Sequence, residues 1–329
     1  MRRILLSLIH LTTAAFAILS VASPARANML YVDDGLKITT YMLPIVPATP
    51  NAAQFSNNPG SGVTSMVFDL INNASVLLTA ASGNGDVYEY SPTGSQSIFA
   101  AVVDPVGIAV NSSSDVFVGL GAVAGGSKIE EFAPNGSVIN ANFGTNVVAQ
   151  SLAVNSAGDV FAADNKSGNV YEYGPSGGTP TKIATLSSTT DNYFGMALDA
   201  AGDLYISYQN SAVGSTSGGI YELTPNGSGY SLSTFFTAAT FLPTAIAIDP
   251  GSGNLYLSYV NSLSSPGGGV DVFNNTGGTL TSVPITDLID SNGYPGGLAV
   301  LTPEPGSLFL LVGGLLAIFL FRSRVIAAT

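Results

Sequence analysis

The chain has 329 residues, 9% of them charged and 46% hydrophobic, with a formal net charge of −12 and neither Cys nor Trp. Of its 21 acidic residues only Glu304 lies outside residues 28–301, while five of the nine basic residues (Arg2, Arg3, Arg26, Arg322 and Arg324) sit in the two ends, so the body keeps only Lys37, Lys128, Lys166 and Lys182 and a net charge of −16. An acidic body without Arg cannot neutralise phosphates, which argues against nucleic acid as a partner. Lack of Cys rules out disulfide support, which a body of this size does not need.

The chain opens MRRILLSLIHLTTAAFAILSVASPARA. Arg2 and Arg3 precede an apolar stretch from Ile4 to about Val21, and Ala25-Arg26-Ala27 closes it with small residues. This order is that of a secretory signal peptide, residues 1–27, with Ala27 the last residue before cleavage and Asn28 the first of the mature chain. The alternative is an uncleaved membrane anchor. The only His, His10, lies in this segment.

Residues 28–301 repeat themselves. Similar units begin at Met66, Ile108, Leu152, Met196 and Ile246, and a partial one at Leu298, at spacings of 42, 44, 44, 50 and 52 residues. In the unit LAVNSAGDVFAADNKSGNVYEYGPSGG a short apolar strand is followed by a turn, a second strand, a variable loop, a third strand and a Pro/Gly turn; a fourth strand such as TKIATL completes it. Apolar runs of this length bounded by Gly, Asn, Asp and Pro are strands. Four strands repeating every 40–50 residues or so are the pattern of a β-propeller blade. The first residues of the body, NMLYVDDGLKITTYMLP, read as later strands of a blade, and the Leu298 repeat supplies only a first strand. The sequence therefore predicts an all-β, six-bladed propeller over residues 28–301, with one blade closed by N- and C-terminal strands and no exposed pairing edge at the junction. A seventh blade would need two more strands from residues 44–62, a stretch too rich in Pro, Gly and Asn for that.

The same unit resembles an NHL-type propeller repeat, with Asn155, Gly158, Asp159, Phe161 and Asp164 at the pattern positions and the likeness running over about residues 63–300. The basic residue that usually begins the third strand is kept only at Lys128, so a ligand mode built on that charge does not carry over.

Candidate sites follow from the repeat. The turns NSAGD, DAAGD and DPGSGN look like fragments of calcium loops, but Ca²⁺ takes six to eight oxygens and none of them matches an EF-hand. No cofactor is otherwise implied; Ca²⁺ is the cation these oxygens would suit. The inner strands offer Asp69, Asn111, Asn155, Asp199 and Asp249, one per blade, as an alternative metal ring for a lactonase-like or hydrolase-like enzyme. A gluconolactonase-like site would need Glu, Asn and Asp gathered on the axis, and a streptogramin-lyase-like chemistry would need a His. The competing role for each ring residue is to form its own hairpin turn. No catalytic residue is assigned, because the body lacks His, Cys and Arg and with them most nucleophile–base pairs. The YEY and YEL triplets at 88–90, 171–173 and 221–223 alternate across a strand, which suits either a sugar-stacking ladder or, the preferred reading, packing between blades. Tyr193, Phe194, Phe241 and Tyr294 fall near the long second-to-third-strand loops, where exposed aromatics on an acidic scaffold suit carbohydrate or peptide contact.

The chain ends TPEPGSLFLLVGGLLAIFLFRSR and five more residues. Residues 306–321 read as a short transmembrane helix without a polar face, with Arg322 and Arg324 held at the cytoplasmic side; a buried C-terminal helix is the alternative. Pro303-Glu304-Pro305, the apolar helix and the terminal arginines resemble a PEP-CTERM sorting tail, here residues 302–329. That resemblance implies an exosortase-type processing enzyme as partner and an exported protein of an exopolysaccharide-producing bacterium. The precursor would be anchored in the inner membrane and then reach the cell surface or extracellular matrix. The expected function is a non-catalytic binding or scaffold propeller whose partner is extracellular polysaccharide or an envelope protein.

Overall fold

Each repeat folds into one antiparallel sheet, its apolar strands following one another as hairpins. The computed structural model describes residues 28–33, 38–43, 51–55, 63–71, 74–82, 85–121, 126–186, 191–210, 216–227, 229–262, 265–274 and 297–301. Expectations for the signal peptide and for the tail lie outside these residues.

The first sheet holds β1 (Met29–Asp33), β2 (Ile38–Met42) and β3 (Asn51–Phe55). The second holds β4 (Val63–Ile71), β5 (Ala74–Ala81), β6 (Asp86–Tyr90) and β7 (Gln96–Ala101). The third holds β8 (Pro105–Val110), β9 (Val116–Leu120), β10 (Lys128–Phe132) and β11 (Val138–Thr145). The fourth holds β12 (Ala149–Val154), β13 (Val160–Asp164), β14 (Asn169–Tyr173) and β15 (Thr181–Thr185). The fifth holds β16 (Asp191–Leu198), β17 (Leu204–Asn210), β18 (Gly218–Pro225) and β19 (Tyr230–Ala238). The sixth holds β20 (Leu242–Ile248), β21 (Leu255–Ser262) and β22 (Ser265–Phe273). The last strand, β23 (Leu298–Leu301), returns to the first sheet, whose order is β23-β1-β2-β3.

Six sheets and no helix are thus present among the described residues. The sixth sheet shows three strands rather than the expected four; residues 275–296, which follow it, lie outside the described set. The Pro- and Asn-rich stretch 44–62 gives one strand, β3, which completes the first blade instead of starting another.

Closure matches the sequence expectation. β23 runs antiparallel to β1 with Leu30 opposite Val300 and Val32 opposite Leu298, and the Asp33 amide donates to the Gly297 carbonyl at 3.0 Å. The first strands β23, β4, β8, β12, β16 and β20 each touch the next, and β20 touches β23, so the ring is complete.

The core is divided among the seams. Among the described residues there are six buried clusters, one between each pair of neighbouring blades. Val76, Leu78, Val116 and Val118 fill one seam, and Phe117, Phe143, Leu152 and Tyr173 the next. Because a blade is packed on both faces, its second strand is buried throughout: all five residues of Val116–Leu120 and of Val160–Asp164 are buried, and all but Asp164 are apolar or Gly. The triplets pack as well: Tyr90 and Tyr173 are buried between blades. At the Pro-Asn-Gly turn before β11, Gly136 has φ 78°, and a Cβ there would run into the Phe99 carbonyl of the preceding blade. That turn therefore needs Gly for conformation and for space.

Candidate functional site

The first strand of every sheet pairs on one side only. The six free edges surround a channel of about 270 Å³ on the axis. Its wall offers the small side chains Ala109, Ala153, Ala247 and Ala299 and the half-buried Ser65, and among the described residues no charged side chain lines it. A free strand edge turns N–H and C=O groups outward, so the channel is polar through its backbone.

A repeated irregularity shapes the start of these strands. β4, β8, β12, β16 and β20 each break register near the same point, between Val63 and Ser65, Pro105 and Gly107, Ala149 and Ser151, Tyr193 and Met196, and Pro243 and Ile246. Ser65, Gly107, Ser151, Gly195, Ala245 and Gly297 share one position there, and the reason is crowding. A Cβ on Gly195 would lie 2.5 Å from the Ile246 nitrogen, and one on Gly107 would lie 2.7 Å from the Ala149 oxygen. Bulges leave backbone groups unpaired. Second-strand side chains take them up: Gly195 N–H donates to Ser207 Oγ at 2.8 Å, and Ala245 N–H to Ser258 Oγ at 3.0 Å. Ser207 Oγ in turn donates to the Thr244 carbonyl, and Gln209 Nε2 to the Pro243 carbonyl at 2.8 Å. Sequence reasoning missed Ser207, Gln209 and Ser258 as the residues that fix the channel wall. The available signal was the shared Leu-Tyr-Ile/Leu-Ser-Tyr pattern of β17 and β21.

The proposed ring residues sit where the first strands end. Asn155 Oδ1 accepts from the amides of Ala157 and Asp159, both at 2.9 Å, and its Nδ2 donates to Asp159 Oδ2 at 2.9 Å. Asn111 repeats this with Ser113 and Asp115. Asp199 Oδ1 accepts from Ala201 and Asp203 at 2.8 and 2.9 Å. Asp249 accepts from the Gly251 amide at 2.9 Å, from Ser252 Oγ and from Asn28 Nδ2, both at 2.7 Å. Asp69 accepts from Ser114 Oγ of the next blade at 3.1 Å. Four of the five are turn-formers whose oxygens accept from turn amides, and Asp249 is held as well by Asn28 of the first blade. Among the described residues no group of three or more His, Cys, Asp or Glu is placed to hold a metal ion.

The rim aromatics divide. Tyr193 does not lie on a loop: β16 already starts at Asp191, so Tyr193 is a strand residue opposite Tyr208 and is fully buried. Its amide donates to Asn165 Oδ1 at 2.7 Å. Burial pushes its hydroxyl pKa well up, and Asp191, Tyr221 and Tyr208 add to the rise. Tyr193 is therefore part of the core between blades 4 and 5 and offers no surface to the rim. Phe194 lines the channel and is half-buried. Phe241 is half-buried just before β20, its ring 4.2 Å from that of Tyr259 and 6.0 Å from that of Phe236. Tyr294 lies outside the described residues, as do Ala27, Pro303, Glu304, Pro305, Arg322 and Arg324.

The arrangement agrees with solved structures. A chain of a nidogen/laminin complex is similar over 83% of this chain and 98% of its own length, with TM-score 0.60 and 14% identity. The fold is a β-propeller. XC5397 from Xanthomonas campestris, described as a gluconolactonase, is similar over 72% of this chain and 78% of its own, with TM-score 0.55 and 18% identity. A protein of unknown function from Bacteroides caccae covers 84% of this chain and all of its own length, with TM-score 0.59 and 13% identity. At these identities the likeness is one of fold. No family model and no curated protein matches the sequence.

Proposed function

We propose that this chain is an exported, non-catalytic propeller that binds extracellular polysaccharide or an envelope protein at its loop-bearing rim, as a scaffold of the cell envelope or exopolysaccharide matrix. The observation that carries the reading is the commitment of the inner-strand oxygens. Asn111, Asn155, Asp199 and Asp249 are engaged by turn amides, so the groups a metal-dependent lactonase would gather on the axis are in use elsewhere. The channel wall adds no charged side chain among the described residues. Half-buried Phe194 and Phe241 remain as the aromatic contacts of the rim, where an apolar ring face suits the C–H face of a neutral sugar. In this proposal the tail is an address. Pro303-Glu304-Pro305 is read by an exosortase-type enzyme, residues 306–321 hold the precursor in the inner membrane, and Arg322 and Arg324 keep its end inside.

A glycan array probed with the purified protein and with Phe241→Ala tests the binding claim. Binding to a subset of neutral glycans, lost in Phe241→Ala, is the expected result. Binding that the substitution leaves unchanged, or no glycan bound together with no envelope protein captured by cross-linking in cells, would overturn it. For the tail, Glu304→Ala is expected to accumulate an unprocessed membrane-held precursor; a normal mature mass would remove the sorting claim.

A further inference from the structure

Three consecutive blades carry the same pair of acids. Glu131, Glu172 and Glu222 occupy one register position on the third strands, opposite Phe117, Phe161 and Tyr205. Two residues before each partner, on the same side of the sheet, stand Asp115, Asp159 and Asp203. Such diagonal neighbours lie roughly 7–8 Å apart at their Cα atoms, within reach of each other's carboxyl groups. This side of each blade faces the next one, since Phe117, Phe161 and Tyr205 belong to the seams between blades 3 and 4, 4 and 5, and 5 and 6. Glu131 is buried and the other five acids are half-buried. The remaining blades lack the pair: Glu89 has Val76 at the diagonal position, and blade 6 has Asn254 with Val272.

We propose that these three carboxylate pairs form an acid-responsive latch, which tightens the seams of blades 3 to 6 when each pair takes up a proton and loosens them when all six acids are ionised. Two ionised carboxylates in one half-buried site repel, and a shared proton removes the repulsion. Among the described residues no cation pairs with these acids; Asn111 Nδ2 donates to Asp115 Oδ2 at 3.0 Å and Asn155 Nδ2 to Asp159 Oδ2 at 2.9 Å. Lys128 pairs with Glu130 at 2.6 Å on the opposite side of β10, the only ion pair among the described residues. Tyr230 of blade 5 faces Glu172 and Asp159, Ser233 donates to Glu222, and Asp199 lies beside Asp203. Burial first, then the partner acid, raises the pKa of Glu131 and Glu172; for Asp203 burial, Asp199 and Glu222 raise it against a hydrogen bond from Thr224. A carboxyl with a higher pKa folded than unfolded holds more proton in the folded state. Stability therefore grows as pH falls through the raised pKa and is lost as pH rises through it.

The test is the melting temperature of the purified protein between about pH 8 and about pH 5. The wild type is expected to gain several degrees, about 2–4 °C for each latch fully discharged. Glu131→Gln/Glu172→Gln/Asp203→Asn should melt higher than wild type near pH 8 and lose most of the pH dependence, whereas Glu89→Gln should keep it. Should the triple variant fail to fold, Asp159→Asn alone is expected to remove about a third of the gain. A wild-type melting temperature that is flat or falls on acidification overturns the latch, and so does a full pH dependence in the variants.

Discussion

Asn155 carries three bonds on a side chain of four heavy atoms, and its value lies in the two amides it satisfies at the end of β12. Leaving two turn amides without that acceptor costs on the order of 1–2 kcal/mol. Asn155→Ala should lower the urea midpoint accordingly, whereas Asn135→Ala, at an exposed turn that bonds only Ser137, should cost less. Gly195 makes a separate point. Its missing Cβ is the space into which the Ile246 backbone fits at 2.5 Å. Gly195→Ala is expected to destabilise by about 1–3 kcal/mol, because the obstacle is backbone and cannot rotate away. Gly174→Ala, with nothing near its added Cβ, should stay within about 0.5 kcal/mol of wild type. Equal effects of the two in thermal unfolding would contradict the close-approach account.

Among the elements, the decisive one is the shortest, β23, which ties the two ends of the domain together. Met29 lies opposite Leu301 in that pairing. In a chain without Cys, Met29→Cys/Leu301→Cys provides a clean probe, since antiparallel partners are close enough for a disulfide. The bridge should form on air oxidation and raise the melting temperature, stabilising by about 5–6 kcal/mol in the chain-entropy picture of a loop this long. Intermolecular dimers in place of the internal bridge would mean that the ring is not closed here. The strands themselves were legible because both faces of every blade are buried, which writes them as apolar runs such as VFVGL between Asn, Asp and Gly turns. Less legible was Tyr193. A bulge at the head of β16 draws it into the strand, and a bulge leaves no mark in composition. Nor did the sequence point to Ser207 or Gln209, whose partners are backbone carbonyls of Thr244 and Pro243, 37 and 34 residues further along the chain.

For the whole molecule, the repeat that makes the propeller also explains the look of a metal ring. Blades 3 to 6 each use an Asn or Asp to turn from the first strand into the second, so repetition places such residues around the axis whether or not a cation is bound there. Chemistry would require some of those oxygens to leave their turns. The direct measurement is hydrolysis of a simple sugar lactone by the purified protein with Ca²⁺ in excess, followed beside its melting temperature with and without the ion. We expect a rate equal to the uncatalysed one and a melting temperature that does not move. Turnover above background that depends on Ca²⁺ and falls in Asp199→Asn, with a Ca²⁺-induced rise in melting temperature, would contradict a non-catalytic propeller and return the inner ring to the position of an active site.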